Sequence, residues 1–324
     1  MNNDIFLSLL NSKPLDVHKT SHYKEVRECA LDIISRSGRV KRLTKEVEEN
    51  MMTLLLDLQV THNYNPGVWT ALSMNRNNYS AGSRYNELRI SYKPLMKCID
   101  ILLSLSLIDM YKGWIDRSSG KSFQTRIRAT TELIDLMNEW KVWRGMAERS
   151  DSFETVLIKD REKYLLEYED NEMVVEIRDK LQIINAAINN AHVDLNITID
   201  QWKEMHEIIA RDENKCAIDL TKTTLYRVFN NSNVNADWLL EGGRWYGGWW
   251  LELPSEYRRY ITINNKLTSE IDFSNLHPRI LYTIEGCEEL IENTDIYDIS
   301  GVVYIPTQGE QSFRFNVNTH SGRT

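Results

Sequence analysis

The chain has 324 residues, 42% hydrophobic and 27% charged, which is the composition of a soluble globular protein of two or three domains. A net charge of −8 excludes a histone-like polycation, so any nucleic-acid surface must be local. No apolar run approaches the length of a membrane span, and the segment MNNDIFLSLLNSKPLD lacks the basic start and long apolar stretch of a signal peptide.

Cys29, Cys98, Cys216 and Cys287 lie far apart, with no metal-ligand spacing and no disulfide framework. Reduced thiols and a cytoplasmic location are the expectation. The nine Trp and fifteen Tyr are read first as core residues, because large aromatic surfaces are most often buried.

In chain order, residues 1–40 read as a polar extension with one helix near His22–Ser35. Residues 41–145 read as a domain. A helix is expected over Thr44–Thr61 from the spacing of Val47, Met51, Leu54, Leu55 and Leu58. A loop rich in Asn, Gly and Ser follows, from Asn63 to Gly82. Ser91 can cap the next helix, Pro94 is tolerated in its first turn, and Leu95, Ile99, Leu102 and Leu103 give it a buried face.

Leu107–Tyr111 reads as a strand, Gly113–Gly120 as an exposed turn and Gln124–Ala129 as a returning strand. Thr130 then caps a helix that buries Leu133, Leu136, Met137 and Trp140. Helix, helix, strand, loop, strand, helix is the order of a winged helix-turn-helix.

The charges suit that order. Arg84, Arg89, Lys93 and Lys97 face only Glu87 between positions 84 and 97. Lys112, Arg117, Lys121, Arg126 and Arg128 face only Asp116 between positions 112 and 128. In a winged helix, the helix after Ser91 enters the major groove and the hairpin tip reaches phosphates. Duplex DNA is therefore the expected partner, against the alternative of an ordinary solvated charged face.

Residues 146–240 read as a mainly helical linker without a motif. Eleven acids and six bases between Glu148 and Lys180 suggest a solvated face. A helix is expected over Val174–Asn190, with Ile177, Leu181, Ile184, Ala187 and Ile188 inward. Lys222–Asn230 suits a short amphipathic strand or helix carrying Arg227.

Residues 241–324 carry the remaining chemistry. Gly242 and Gly243 allow close backbone approach, and Arg244 follows at once. Arg258 and Arg259 add positive charge. Two strands are expected around Asn264-Asn265-Lys266, the second ending in Asp272, before an apolar helix that contains Pro278 and Arg279. An aspartate held on a central strand beside basic groups is a candidate metal ligand, although an isolated aspartate is more often a helix cap. Glu270 and Asp272, two apart on a strand, would share a face and could share a metal as in a nuclease.

The order Gly-Arg, Arg, strand-Asp, apolar helix, Asp-Ile-aromatic resembles the palm of family A DNA polymerases. Asp272-Phe273-Ser274-Asn275-Leu276-His277-Pro278-Arg279 stands where that family has a motif of the type DYSQIELR. Asp295-Ile296-Tyr297 resembles its Asp-Ile-His. The family B form, DFxSLYPS, is similar in its Phe and Pro. Proteins of mobile elements and of plasmid or phage replication that join a winged helix to such a palm are similar in order.

The resemblance implies that Asp272 is the first Mg²⁺ ligand and that Arg244, Arg258 and Arg279 hold nucleic acid. It puts His277, with Phe273 and Ser274, beside the nucleotide and its sugar. The histidine departs from the Glu of family A and the Tyr of family B. A second catalytic carboxylate and a fingers helix have no counterpart before residue 324. The expectation is thus a mainly helical α+β, DNA-binding, replication-associated protein with a partial palm. It would bind duplex or primer–template DNA and be inactive alone in nucleotidyl transfer, with a second protein chain completing the polymerase. The alternative is a DNA-binding regulator or initiator without catalysis.

Overall fold

The computed structural model describes residues 8–79, 82–115, 122–212, 215–230, 242–271 and 276–286. The chain is mixed α+β and divides into two compact units, Met1–Thr268 and Ser269–Thr324. No described helix is long and apolar enough to cross a membrane.

Strands β1 (Ser12–Pro14) and β2 (Lys19–Thr20) come first. Helix α1 (Lys24–Arg36) buries Val26, Cys29, Ala30, Ile33 and Ile34, the three-four spacing of a single apolar stripe. Helix α2 (Lys45–Tyr64) starts where the Thr44 hydroxyl accepts from the Val47 amide at 3.5 Å. It is buried almost all round, carrying Asn50, Asp57, Gln59 and Thr61 inside with its leucines. A helix surrounded by protein needs internal partners for such polar groups.

The segment read as a loop from Asn63 to Gly82 contains strand β3 (Trp69–Leu72), with every residue buried. Its four residues lack the alternation that marks a half-exposed strand, because protein covers both faces. Helix α3 (Tyr92–Ser104) follows Ser91, whose hydroxyl makes no capping bond, and buries Leu95, Cys98, Ile99, Ile101 and Leu102. Pro94 falls in the first turn, where its missing amide proton costs nothing.

Strands β4 (Ile108–Tyr111), β5 (Trp114–Ile115), β6 (Ser122–Phe123) and β7 (Thr125–Ala129) come next. Helix α4 (Thr131–Glu139) is capped by the Thr130 hydroxyl, which accepts from the Leu133 amide at 3.4 Å. The main sheet runs β1-β3-β7-β4, parallel only between β1 and β3. The four helices and the sheet share one hydrophobic core.

Beyond it, strands interrupt the expected helical region. They are β8 (Glu148–Arg149), β9 (Val156–Ile158), β10 (Val193–Leu195) and β11 (Tyr226–Phe229). Among them lie α5 (Glu172–Asn189), capped by Asn171, and α6 (Ile199–Arg211), which opens on a Thr198/Gln201 capping box. Helix α5 buries Val174, Leu181 and Asn185 and exposes Ile183 and Ile184, so the expected Ile184 face is wrong. Asn185 is inside because its amide exchanges two bonds with the Leu225 backbone, at 2.9 and 2.8 Å.

Strand β12 (Gly242–Tyr246) completes a sheet of order β12-β11-β9. Gly243 has φ +78°, and a Cβ there would meet the Arg227 guanidinium at 2.5 Å. The close approach that its glycine permits is therefore to this chain's own Arg227, which donates to the Gly243 carbonyl at 2.8 Å.

Helix α7 (Ser255–Arg258) leads into β13 (Ile261–Ile263) and β14 (Lys266–Leu267), in a sheet of order β10-β13-β14. Asn264 and Asn265, at φ 51° and 62°, make the tight turn that twisted hairpins favour. In the second unit, helix α8 (Leu276–Ile284) has no buried residue.

Candidate nucleic-acid interface

Helix α3 packs against α2 through its leucines and presents the opposite side outward. Lys93 is exposed and Lys97 half-buried, one turn apart on that outer side. Arg89, exposed and at φ 51°, stands just before the helix, within electrostatic reach of Glu46. Lys112 is exposed in the link from β4 to β5. Among the described residues, Lys93, Lys97 and Lys112 have no carboxylate within ion-pair distance.

The other basic residues of the two expected clusters behave differently. Arg126 turns inward from β7. Its guanidinium donates to the carbonyls of Leu9 at 3.1 Å and Gln124 at 3.0 Å and lies 4.2 Å from the Phe123 ring centre. Burial pulls its pKa down. Arg128 pairs with Asp109 at 2.8 Å and stacks 4.3 Å over Trp69. Both sit on a central strand flanked by β3 and β4, two apart and so on one face of the sheet, and each finds partners within its own chain.

Arg84 is also withdrawn, stacked 3.7 Å over Tyr168 and paired with Asp170 and Glu154 at 3.0 and 3.3 Å. Arg178 joins the same acids, and its hydrogen bond, reinforced by one from Arg84, holds the Asp170 carboxyl down at about 2 against the cost of burial. Arg126 is thus buried, and Arg128 and Arg84 are half-buried and engaged by acids of their own chain, which departs from the expected free phosphate contacts. Arg117 and Lys121 lie outside the described residues.

The palm-like residues stand on different elements. Arg244 is exposed on β12, and Arg258 is half-buried at the end of α7. His277 is exposed and Arg279 half-buried on α8 in the second unit. Asp272, Phe273 and Ser274 lie outside the described residues. The strand expected to end in Asp272 stops at Leu267, on the edge of its sheet rather than at its centre. The tight Asn-Asn turn leaves only a two-residue return strand before Thr268 bonds back to the Ile261 carbonyl at 3.2 Å. Glu270 consequently lies beyond the strand, and Asp272, expected to share a face with it, lies outside the described residues. No group of three His, Cys, Asp or Glu among the described residues is arranged to hold a metal ion.

A second charged site, absent from the sequence expectations, joins distant parts of the first unit. Lys13 pairs with Asp57 at 2.6 Å. Lys19 contacts Asp219, Asp16 at 3.3 Å and Asp57 at 3.5 Å, and Arg149 reaches Asp16 at 3.0 Å. Thr70 and Thr221 add hydroxyl bonds to Asp57 and Asp219. Three cations thus balance three carboxylates, and the Lys19 ammonium fills the point where the acids converge.

Burial alone would raise the Asp16 and Asp219 carboxyls. Burial is the largest single influence at each, but Lys19 and Arg149 with Lys222 and His18 together overcome it at Asp16, and Lys19, Lys13 and the Thr221 hydrogen bond together at Asp219, so both are held well below the carboxylate range. Burial opposes the charge on Lys19, but Asp16, Asp219 and Asp57 hold its ammonium well above the usual value. One local signal existed: Asp57 interrupts the run Leu54–Leu56 and Leu58 on a buried helix, where a carboxylate requires a partner.

Neither a family model, nor a curated protein, nor a solved structure matches the chain.

Proposed function

We propose that the protein is a DNA-binding protein of replication, in which α3 approaches the groove of a duplex and the β4–β7 hairpin flanks it as a wing. One observation carries this reading. Helix α3 is anchored by its apolar side while Arg89, Lys93 and Lys97 remain outward, ahead of an antiparallel β4–β7 pair whose connection carries Lys112. Cations such as Lys93, Lys97 and Lys112, without an acid partner among the described residues, favour phosphate contacts, in an acidic protein as much as in a basic one. The resemblance of residues 242–301 to a polymerase palm supports replication as the setting. On that reading, Arg244 holds nucleic-acid backbone and Asp272 is the residue to hold Mg²⁺.

The test is a salt-dependent anisotropy titration of duplex DNA with the wild type and with the double variant Lys93→Glu, Lys97→Glu. The variant is expected to bind at least about tenfold more weakly, with the slope of log K against log salt shallower by roughly 1.8 for two lost phosphate contacts. An unchanged slope would remove α3 from the interface.

The second reading, a regulator or initiator without catalysis, is favoured by β14 ending at the edge of a three-stranded sheet. It requires that Asp272→Ala leave DNA affinity unchanged and that no Mg²⁺-dependent primer extension occur even with added protein partners.

A further inference from the structure

The β5–β6 hairpin, carried by the β4–β7 pair, is built for more than phosphates. Its described residues are Trp114, Ile115, Ser122 and Phe123, with no charge among them. Trp114 is 39% and Ile115 74% exposed. Trp114 and Phe123 are direct cross-strand partners, and their rings lie within 16° of parallel with centres 6.5 Å apart. Phe123 is held from behind by the Arg126 guanidinium and from the side by Tyr111, edge-on at 6.4 Å. Arg126, although withdrawn from solvent, thereby fixes an aromatic platform in place.

A groove of about 550 Å³ runs along this platform, lined by Met74, Lys112, Trp114, Ile115, Phe123 and Gln124 among others. Among the described residues its lining includes a lysine and no acid. A nucleotide has the matching chemistry: a planar face for the rings, polar base edges for the Gln124 amide and a phosphate for Lys112. In an intact duplex the base faces are already stacked on one another. Only an unpaired base, or the base pair exposed at a junction, can offer a face to Trp114.

We propose that the β5–β6 hairpin stacks on an unpaired base where duplex DNA meets a single strand. The ligand of the interface is then junction DNA rather than uniform duplex. This rests on the DNA-binding reading and narrows it. Paired rings beside Lys112 and the Gln124 amide, with no acid among the described lining residues, favour a nucleotide over an apolar protein segment, which nowhere brings a planar stacking face and an anion together.

The experiment compares a blunt duplex with the same duplex carrying a short single-stranded tail, by fluorescence anisotropy, for the wild type, Trp114→Ala, Trp114→Phe and the Lys93→Glu, Lys97→Glu pair. Stacking of one base predicts that the wild type binds the tailed form at least about fivefold more tightly. That ratio should fall to about one in Trp114→Ala and survive largely in Trp114→Phe, which keeps an aromatic face. The lysine pair should weaken both forms and keep the ratio. Equal wild-type binding of the two DNAs would overturn the junction proposal and leave duplex binding standing. So would a preference that survives Trp114→Ala, or loss of both affinities by one factor. Failure of the wild type to bind either DNA would overturn both readings.

Discussion

Two sets of lysines in the same unit have opposite fates. Lys13 and Lys19 are 4% exposed and locked among Asp16, Asp57 and Asp219, whereas Lys93 and Lys97 face outward with no acid partner among the described residues. The first set joins β1, β2, α2 and the loop after α6, bridging 200 residues of sequence at the Lys19–Asp219 contact. The second sits on one helix whose other side carries the packing. A buried charge is held in place because separation from its partner is costly. An exposed charge is held only by screened water, and it is available to a phosphate. Position in the packing, not residue type, separates a charge bound within the fold from one left open to a partner.

The strongest way to break the comparison is to remove one partner from the buried set. Asp57→Ala leaves Lys13 without its ion-pair partner and takes one acid from Lys19, and should cost about 3–5 kcal/mol of stability in urea unfolding. A cost near zero would mean that water reaches the cluster. Reversal of Lys93 and Lys97 should leave unfolding nearly unchanged while weakening duplex binding at least about tenfold, which separates the two sets by two different measurements.

The next effect is in acid. Asp16 and Asp219 have folded pKa values depressed below 3.8, so their stabilisation is present above that value and is lost as pH falls from it toward the folded values. Asp219→Asn should therefore show a flatter fall of unfolding free energy below about pH 4 than the wild type, from a lower starting stability. Lys19, with its pKa raised above 10.5, contributes fully below that value and loses its contribution only as pH rises through the folded one.

The smallest effect belongs to His206. It packs at 3.9 Å against Tyr64 and 5.0 Å from Trp202, and burial lowers its pKa from 6.5 to about 4. The neutral ring is the form the fold accepts. Stability should be full above pH 6.5 and decline toward pH 4, a decline that His206→Phe should remove. A wild-type curve flat between those values would place His206 in water.

Several elements were legible because local chemistry decides them. Thr44 and Thr130 mark helix starts by the bonds their hydroxyls make, and the inward residues of α2 and α4 follow from spacing alone. Strand β3 was hidden because four residues buried on both faces have no alternation to read. Arg126 and Arg128 looked like a basic patch because sequence counts charges without revealing that β7 lies between β3 and β4. Arg244, Arg258 and Arg279 looked like one constellation, yet they stand on a sheet, a short helix and a separate unit.

The candidate interface was half legible. The lysines of α3 and the hairpin were visible as an excess of charge over Glu87 and Asp116, while the aromatic platform was not, since Trp114 and Phe123 become neighbours only through strand register.

By itself, the sequence determined the mixed helix and strand content, most of the helix limits and the resemblance of residues 242–301 to a polymerase palm. The helix limits depend on spacing and capping within a few residues, and the resemblance on the order of short motifs along the chain. The tertiary structure alone decided which charges are internal and where the expected strand toward Asp272 stops. It also decided that six charged residues between positions 13 and 219 form one neutral cluster. Burial and partnership are properties of long-range packing, and no local pattern encodes them.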